Sequence, residues 1–331
     1  MIFYDFEVFK EDWLAVFIDV TKKKEYVIIN NPDELKALYE ANSKDIWVGY
    51  NNRHYDQYIF KGILLGMNPK RINDWIIVEK REGWQFSSAF NKVPMINYDV
   101  MPNPPVGLKT LEGFLGSNIK ETDVDFRINR KLTKEEIEMT VFYCRHDVEE
   151  TIKVFLEKID EFNAMHGIIQ AFPDIVNLSD IGDSEARITA KVLGCSRRSF
   201  EDEFDFYFLP CLQLKKYKYV QDWFEQKRQE ALSMDLAHMD KYSKRTWYKE
   251  QGLETVVAGI PHSFGFGGVH GATATPIHKT GQLLHVDVNN YYPSMLIAWG
   301  LVTRAATNDN YPLVYNTRKA MKEKQIAAKN A

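Results

Sequence analysis

The chain of 331 residues contains only three cysteines, Cys144, Cys195 and Cys211, and none of them forms a CxxC pair. A disulfide framework needs several cysteine pairs, and a structural zinc site needs closely spaced cysteines. The sequence therefore indicates neither kind of protein. We expect reduced cysteines that are mostly buried.

Long apolar runs are also lacking, although 45% of the residues are apolar, which is enough for a sizeable hydrophobic core. No stretch approaches the roughly 20 apolar residues of a membrane span. Acidic residues from Asp5 to Asp12 interrupt any run of signal-peptide type. We expect a globular protein without a membrane partner, in the cytoplasm.

A strong charge of one sign is absent as well, because the net charge is only -4. Local basic clusters are more informative than this total, although most such clusters are ordinary solvated surface. Two of them interleave cations with aromatics, a mixture suited to phosphates and stacked bases. They are Lys215-Lys216-Tyr217-Lys218-Tyr219 and Arg245-Thr246-Trp247-Tyr248-Lys249.

The periodicity of apolar residues predicts strands first and helices later. Runs at 1–9, 13–20 and 26–30 predict an antiparallel meander, followed by a helix from Pro32, a buried strand at 46–50 and a helix at 55–65. A long helix is predicted from Thr133, which with Glu136 has capping-box spacing. Its expected buried stripe is Ile137, Val141, Cys144, Val148, Ile152 and Phe155. This order of elements is typical of an α/β or α+β fold.

Beyond this region the sequence predicts two further parts. Residues 166–255 carry helical patterns without an assignable motif, and glycines between 259 and 271 end those patterns. A strand at 283–288 would have Asp287 near its end. We therefore expect domains at 1–165, 166–255 and 256–331.

Carboxylates recur at positions suited to a shared site in the first part. Asp5 and Glu7 are two residues apart on a predicted strand, so their side chains point to one face. Asp56 begins a predicted helix, and Tyr143 and Asp147 are four apart on the long helix, hence on one side of it. Each pattern by itself is common on ordinary surfaces; their order along the chain favours a common site.

Such carboxylates suit phosphodiester hydrolysis. Two divalent metals about 3.5–4 Å apart activate a water and stabilise the leaving oxygen, and four carboxylates can hold two metals. Tyrosine has an ordinary pKa of about 10, so orientation of the water is the safer role for Tyr143.

These segments resemble the motifs of the DEDDy-type 3'-5' exonuclease domain of family B DNA polymerases. Asp5-Phe6-Glu7 resembles the first motif, Asn51 through Tyr55-Asp56 the second and Tyr143-x-x-x-Asp147 the third. The segment 108–116 also resembles one that precedes the third motif. The resemblance implies a ribonuclease H-like fold and Mg²⁺ or Mn²⁺ bound by Asp5, Glu7, Asp56 and Asp147. It also implies that Asn51 and Tyr55 contact a single-stranded DNA 3' end.

A later segment, Asp287-Val288-Asn289-Asn290-Tyr291-Tyr292-Pro293-Ser294, resembles the first palm motif of the same polymerases, with Asn290 and Tyr291 departing from it. The resemblance implies that Asp287 binds metal and that Tyr292 lies beneath the deoxyribose of an incoming nucleoside triphosphate. Arg318 and Lys322, four apart, would begin a fingers helix. A partial palm would then follow the helical connector.

The remaining fingers and palm motifs do not follow Asp287, and nucleotidyl transfer by two metals needs a further carboxylate. We therefore expect a phage- or virus-like replicative polymerase portion, in a bacterium or an infected host cell, that does not polymerise alone. A second polypeptide would complete the palm on a primer-template, or the sequence is truncated or partial. Two alternatives stay open: a non-catalytic DNA-binding or assembly subunit, and a stand-alone exonuclease that acts on RNA.

Overall fold

A computed structural model describes residues 1–117, 119, 124–195, 208–276, 280–282, 284, 286, 290–300, 302, 306 and 309–330. Their contacts divide the chain into two units. The first contains Met1–Gly194 with Asn316–Ala331, and the second contains Cys195–Tyr315. The domain limits at 165 and 255 stay predictions.

A five-stranded mixed sheet forms the centre of the first unit, so the fold is of the α/β type. Its strands are β1 (Ile2–Val8), β2 (Trp13–Asp19), β3 (Lys24–Ile29), β4 (Ile46–Gly49) and β5 (Ile96–Asp99). The order is β3-β2-β1-β4-β5. β1, β2 and β3 are antiparallel, whereas β4 pairs in parallel with β1 and with β5. The predicted meander is confirmed, and β1 becomes the central strand.

Alternation along β1 assigns its residues to two faces. Ile2, Tyr4, Phe6 and Val8 lie in the main hydrophobic core, with Trp47 and Phe60. The residues between them belong to the opposite face, because successive strand side chains alternate. There Phe3 meets Phe155 edge to face, with ring centroids 5.3 Å apart.

Helices of the first unit follow the strands as predicted at 32 and 55. They are α1 (Pro32–Ala41), α2 (Asp56–Leu64), α3 (Pro69–Asn73), α4 (Leu108–Leu115), α5 (Lys134–Glu157), α6 (Ile159–Ala171) and α7 (Glu185–Val192). Asn31 caps α1 through the Glu34 amide. Among the described residues, no helix is both long and apolar enough to cross a membrane.

The long helix α5 packs against β1 and β2 and begins with the predicted capping box. The Thr133 hydroxyl accepts from the Glu136 amide, and Glu136 accepts from the Thr133 amide. The predicted buried stripe was only half right. Cys144, Val148 and Phe155 are buried, whereas Ile137, Val141 and Ile152 are only half-buried. Thr140, Thr151 and Val154 are buried instead. The buried side of α5 is centred on one edge of the predicted stripe, because Thr140, Thr151 and Val154 all lie on the same side of it.

The second unit contains two helices and a small sheet. The helices are α8 (Lys218–Ser233) and α9 (Lys241–Glu250). The strands are β6 (Leu253–Val257), β7 (Ile260–Gly265) and β8 (Gly268–Gly271), which form an antiparallel meander. The glycines predicted to end the helical pattern lie in this meander. Gly259 and Gly268 have φ values of 82° and 140°, which suit its turns.

Further along the chain lie α10 (Tyr291–Ala298) and α11 (Asn310–Asn330). The strand predicted at 283–288 falls mostly outside the described residues, and so does Asp287 itself.

The expectation of mostly buried cysteines was wrong. Only Cys144 is buried, because it lies on the core side of α5, while Cys195 and Cys211 are exposed. All three are free thiols.

Candidate active site

Three of the predicted carboxylates meet beside the central strand. Asp5 and Glu7 project from β1 on the face covered by α5, and Asp147 projects from α5 towards them. One oxygen from each of the three carboxylates lies within 4.8 Å of the others. The core packing of Tyr4 and Phe6 explains this position, because it turns the intervening acidic residue to the other face.

Asp56 approaches the same strand from α2. It is the first residue of that helix and only 4% exposed. Its Oδ1 accepts a hydrogen bond of 3.2 Å from the Phe6 amide, which lies between Asp5 and Glu7 in the chain. The four carboxylates therefore come from three elements: two from β1 itself, one from α2 and one from α5.

The electrostatics of these carboxylates are those of like charges held out of water. Burial, followed by repulsion from Asp147, raises the pKa of Asp5 to about 8. Burial and the neighbouring carboxylates also raise the pKa of Glu7 and of Asp56. Crowded, buried acids of this kind either keep protons or require cations. The donor set consists of carboxylate oxygens, which Mg²⁺ and Mn²⁺ accept readily.

Tyr143 lies one helical turn before Asp147 on the same side of α5, and the charge of that carboxylate acts on its hydroxyl. Burial, then the charges of Asp147 and Glu7, raises the pKa of Tyr143 far above its ordinary value. The phenol therefore keeps its proton at neutral pH. It can donate and orient, but it is a poor general base.

Lys109 of α4 provides a positive charge that sequence reasoning missed. Its Nζ lies 2.5 Å from Asp147 Oδ1 and 3.0 Å from Glu112 Oε1. It also lies 4.7 Å from the centroid of the Tyr143 ring. Burial alone would lower the pKa of Lys109, but Asp147 and Glu112 outweigh it and raise the pKa. The available signal was its position in the segment 108–116, which resembles a segment that precedes the third motif.

Glu112 and His146 form a second buried pair behind Lys109. Glu112 is fully buried, and its Oε2 lies 3.5 Å from His146 Nε2. Glu112, His146 and Asp147 also offer ligand atoms within 4.8 Å of one another. His146 thus faces α4, while its neighbour Asp147 faces β1.

The Cys144 thiol completes the packing beneath the carboxylates. Its Sγ lies 3.4 Å from Asp5 Oδ2, to which it donates. Burial, followed by the charge of Asp5, raises the pKa of Cys144 well above its ordinary value, so the thiol stays protonated. It supports Asp5 and is unsuited to nucleophilic attack.

The residues predicted to contact a DNA end flank Asp56. Tyr55 precedes α2, and its hydroxyl donates to Asn73 Oδ1 at 2.7 Å. Asn51 follows β4 with φ 56°, and its amide donates to Asp99 Oδ1 at 2.9 Å. Both residues are half-buried, so each still has accessible surface.

The predicted polymerase residues lie in other parts of the chain. Tyr292 is in the first turn of α10 and is 72% exposed. Arg318 and Lys322 are exposed, one turn apart in α11. Since Asp287 is outside the described residues, the palm site has no geometry to evaluate.

Comparisons of the chain with family models, with curated proteins and with solved structures produced no match.

Proposed function

We propose that this chain is a metal-dependent 3'-5' exonuclease acting on DNA, the proofreading part of a family B DNA polymerase. The observation that carries the proposal is the meeting of Asp5, Glu7 and Asp147 within 4.8 Å, with Asp56 bonded to the same strand. A surface acid would be exposed and solvated, whereas these carboxylates are crowded and largely buried. The mixed sheet with a carboxylate-bearing central strand is compatible with a ribonuclease H-like fold.

Mg²⁺ or Mn²⁺ fits the donor set, and Asp5, Glu7, Asp56 and Asp147 would hold it. Bound in pairs, such metals supply an activated water and stabilise the leaving oxygen of a phosphodiester. The crowding and burial that raise the pKa values of Asp5, Glu7 and Asp56 support this proposal, because bound cations would relieve the repulsion among the ionised acids. A bound cation would offset the repulsion between the ionised carboxylates, which favours metal binding.

The protein side chains perform the positioning in this proposal. Tyr143 keeps its proton at neutral pH, so its hydroxyl can donate to a water or a phosphate oxygen beside Asp147 and orient it. Lys109 holds the orientation of Asp147 through its 2.5 Å contact and keeps a positive charge at the border of the site. Positive charge there favours the accumulation of negative charge on the phosphate during the reaction.

Asn51 and Tyr55 are proposed to contact the single-stranded 3' end, because they flank Asp56 and remain partly accessible. The polymerase assignment rests on the resemblance of the Asp287 segment. In this proposal Asp287 and Tyr292 would serve a deoxynucleoside triphosphate site completed by further palm residues, with Arg318 and Lys322 near the triphosphate.

The test is the digestion of a 5'-labelled single-stranded DNA by the purified chain. We expect stepwise shortening from the 3' end with Mg²⁺ or Mn²⁺, none with chelator, and none on a DNA whose 3' end is blocked. Asp5→Asn and Asp147→Asn should each lower the rate by more than about 100-fold, because loss of a ligand exceeds loss of an outer-shell partner. Asp222→Asn neutralises an exposed carboxylate of α8 and should retain full activity.

Full activity in either site variant, or hydrolysis in chelator, would overturn the metal-site assignment. Binding of DNA without hydrolysis under any metal would favour the non-catalytic subunit. A preference for labelled RNA over DNA would favour the stand-alone RNA exonuclease. Melting temperatures in chelator should not fall in the site variants, since each substitution removes like-charge repulsion.

A further inference from the structure

Helix α9 exposes a row of three cations. Lys241, Arg245 and Lys249 follow one another at intervals of four residues and are all exposed. Residues four apart lie on one face of a helix, about 6 Å apart along its axis. The row therefore runs along one side of the helix.

These cations differ from those of α8 in the same unit. On α8, Lys218 contacts Asp222 at 2.9 Å, Lys227 contacts Glu230 at 2.6 Å and Arg228 contacts Glu225 at 2.9 Å. Within the part of the chain that the structure describes, Lys241, Arg245 and Lys249 have no carboxylate at ion-pair distance. A cation that forms an ion pair with a neighbouring acid contributes less to the binding of a polyanion. The cations of the α9 row form no such pair among the described residues.

The opposite side of α9 anchors the helix. Trp247 is buried at 8% exposure, and its ring lies 5.3 Å from Phe266 and 5.5 Å from Tyr248. Asp240 caps the first turn by accepting from the Tyr242 and Ser243 amides. Because the packed side is fixed, the orientation of the basic row is fixed as well.

An aromatic ring accompanies the row. Tyr242 is 80% exposed. Around the helix axis it points about 20° away from the direction of Lys249, so it lies on the side of the helix that carries the row. Such a ring offers a flat apolar face that can stack on another ring. Base faces are the natural partner of a ring beside cations.

We propose that Lys241, Arg245 and Lys249 bind the phosphate backbone of a DNA strand while Tyr242 stacks on one of its unpaired bases. The choice of DNA as the polyanion rests on the proposed function, but none of these residues belongs to the proposed exonuclease site. Cations without protein partners release condensed counterions when they contact phosphates. The binding should therefore weaken steeply with salt.

The test measures binding of a fluorescent single-stranded 20-mer to the full chain by anisotropy, in chelator, over a range of salt concentrations. The variant carries Lys241→Gln, Arg245→Gln and Lys249→Gln. Loss of three phosphate contacts should reduce the slope of log K against log salt by about 2. Its affinity at low salt should fall by at least about 10-fold.

A charge-matched control carries Lys36→Gln, Lys134→Gln and Lys218→Gln, each of which has an acidic partner within 4.0 Å. It removes the same total charge, but we expect a change in slope of less than about 0.5, since paired lysines release few counterions. Equal slopes in the two triple variants would overturn the proposal.

The aromatic contact has its own control. Tyr242→Ala should weaken single-strand binding about 5- to 150-fold, whereas Tyr242→Phe keeps the ring and should bind normally. Duplex DNA should be insensitive to Tyr242→Ala, because its bases are already stacked; an equal loss on duplex would overturn the stacking contact. Because binding is measured in chelator, failure here is distinguishable from failure of the exonuclease, which is measured by metal-dependent cleavage.

Discussion

The carboxylate site beside β1 and the basic row on α9 handle charge in opposite ways. At the first, acids are buried, and the nearby cation Lys109 is held between Asp147 and Glu112. At the second, cations are exposed without acidic partners among the described residues. Buried repulsion indicates a site for cations from solution, whereas exposed unpaired cations indicate a polyanion. The net charge of -4 reveals neither.

Removal of Lys109 should have the largest effect on stability. Lys109→Met leaves the fully buried Glu112 without its ammonium partner, which should cost about 3 kcal/mol in the free energy of unfolding. This value is at the lower end for a broken buried pair, because the Lys109 side chain is 28% exposed. The measurement is chemical denaturation in chelator.

Arg245→Met is the matched control, since it removes one positive charge from the exposed row. We expect its free energy of unfolding to stay within about 0.5 kcal/mol of the wild-type value. Equal destabilisation by the two substitutions would contradict the distinction between a cation paired with buried acids and an exposed cation of the basic row.

Addition of metal should stabilise the chain through the carboxylate site beside β1 and not through the basic row on α9. At a Mn²⁺ concentration 100 times its dissociation constant, the folded state should gain about 2.7 kcal/mol. The melting temperature should rise with Mn²⁺ or Mg²⁺ and return to its starting value with chelator.

Two variants sharpen this result. Asp5→Asn should abolish most of the metal-induced rise, because it removes a ligand. The triple substitution on α9 should leave the rise intact, since no carboxylate of the site is changed. A full rise in Asp5→Asn would show that the metal binds elsewhere.

The smallest effect is expected at the start of α5, where a carboxylate is paired on the surface. The Arg130 guanidinium, with the capping bond to the Thr133 amide, lowers the pKa of Glu136 to about 2. A pKa lowered in the folded state contributes stability above the ordinary value of about 4.3, and this stability is lost as the pH falls towards 2. Between these values the wild-type chain should lose more stability than Glu136→Gln.

Melting temperatures between pH 5 and pH 2 measure the difference. Glu135→Gln is the control, because it neutralises the neighbouring exposed carboxylate without touching the capping box. Parallel curves for the wild type and Glu136→Gln would contradict the prediction.

Much of the fold of the first unit could be predicted from local sequence. The meander, the helix from Pro32 and the capping box at Thr133 follow from short-range periodicity and capping residues. The small sheet β6-β7-β8 was missed because its glycines suggested only a break in the helices. Strand pairing depends on the partner strand, which periodicity within one segment does not reveal.

The candidate site was predicted in its acids but not in its surroundings. Asp5, Glu7 and Asp147 were recognised from their order and their spacing on predicted elements. Lys109, Glu112 and His146 were not, since each makes its contact across two helices.

The sequence by itself determined where the first four strands and the helices α1, α2 and α5 begin, and which acids occupy positions suited to a shared site, because those properties depend on neighbours within a few residues. Only the tertiary structure decided which charges meet. Lys109 reaches Asp147 across 38 residues and Cys144 reaches Asp5 across 139. Electrostatic interactions depend on distance in space and on burial. One lysine, Lys109, is therefore paired with two acids, whereas another, Lys241, has no acidic partner among the described residues.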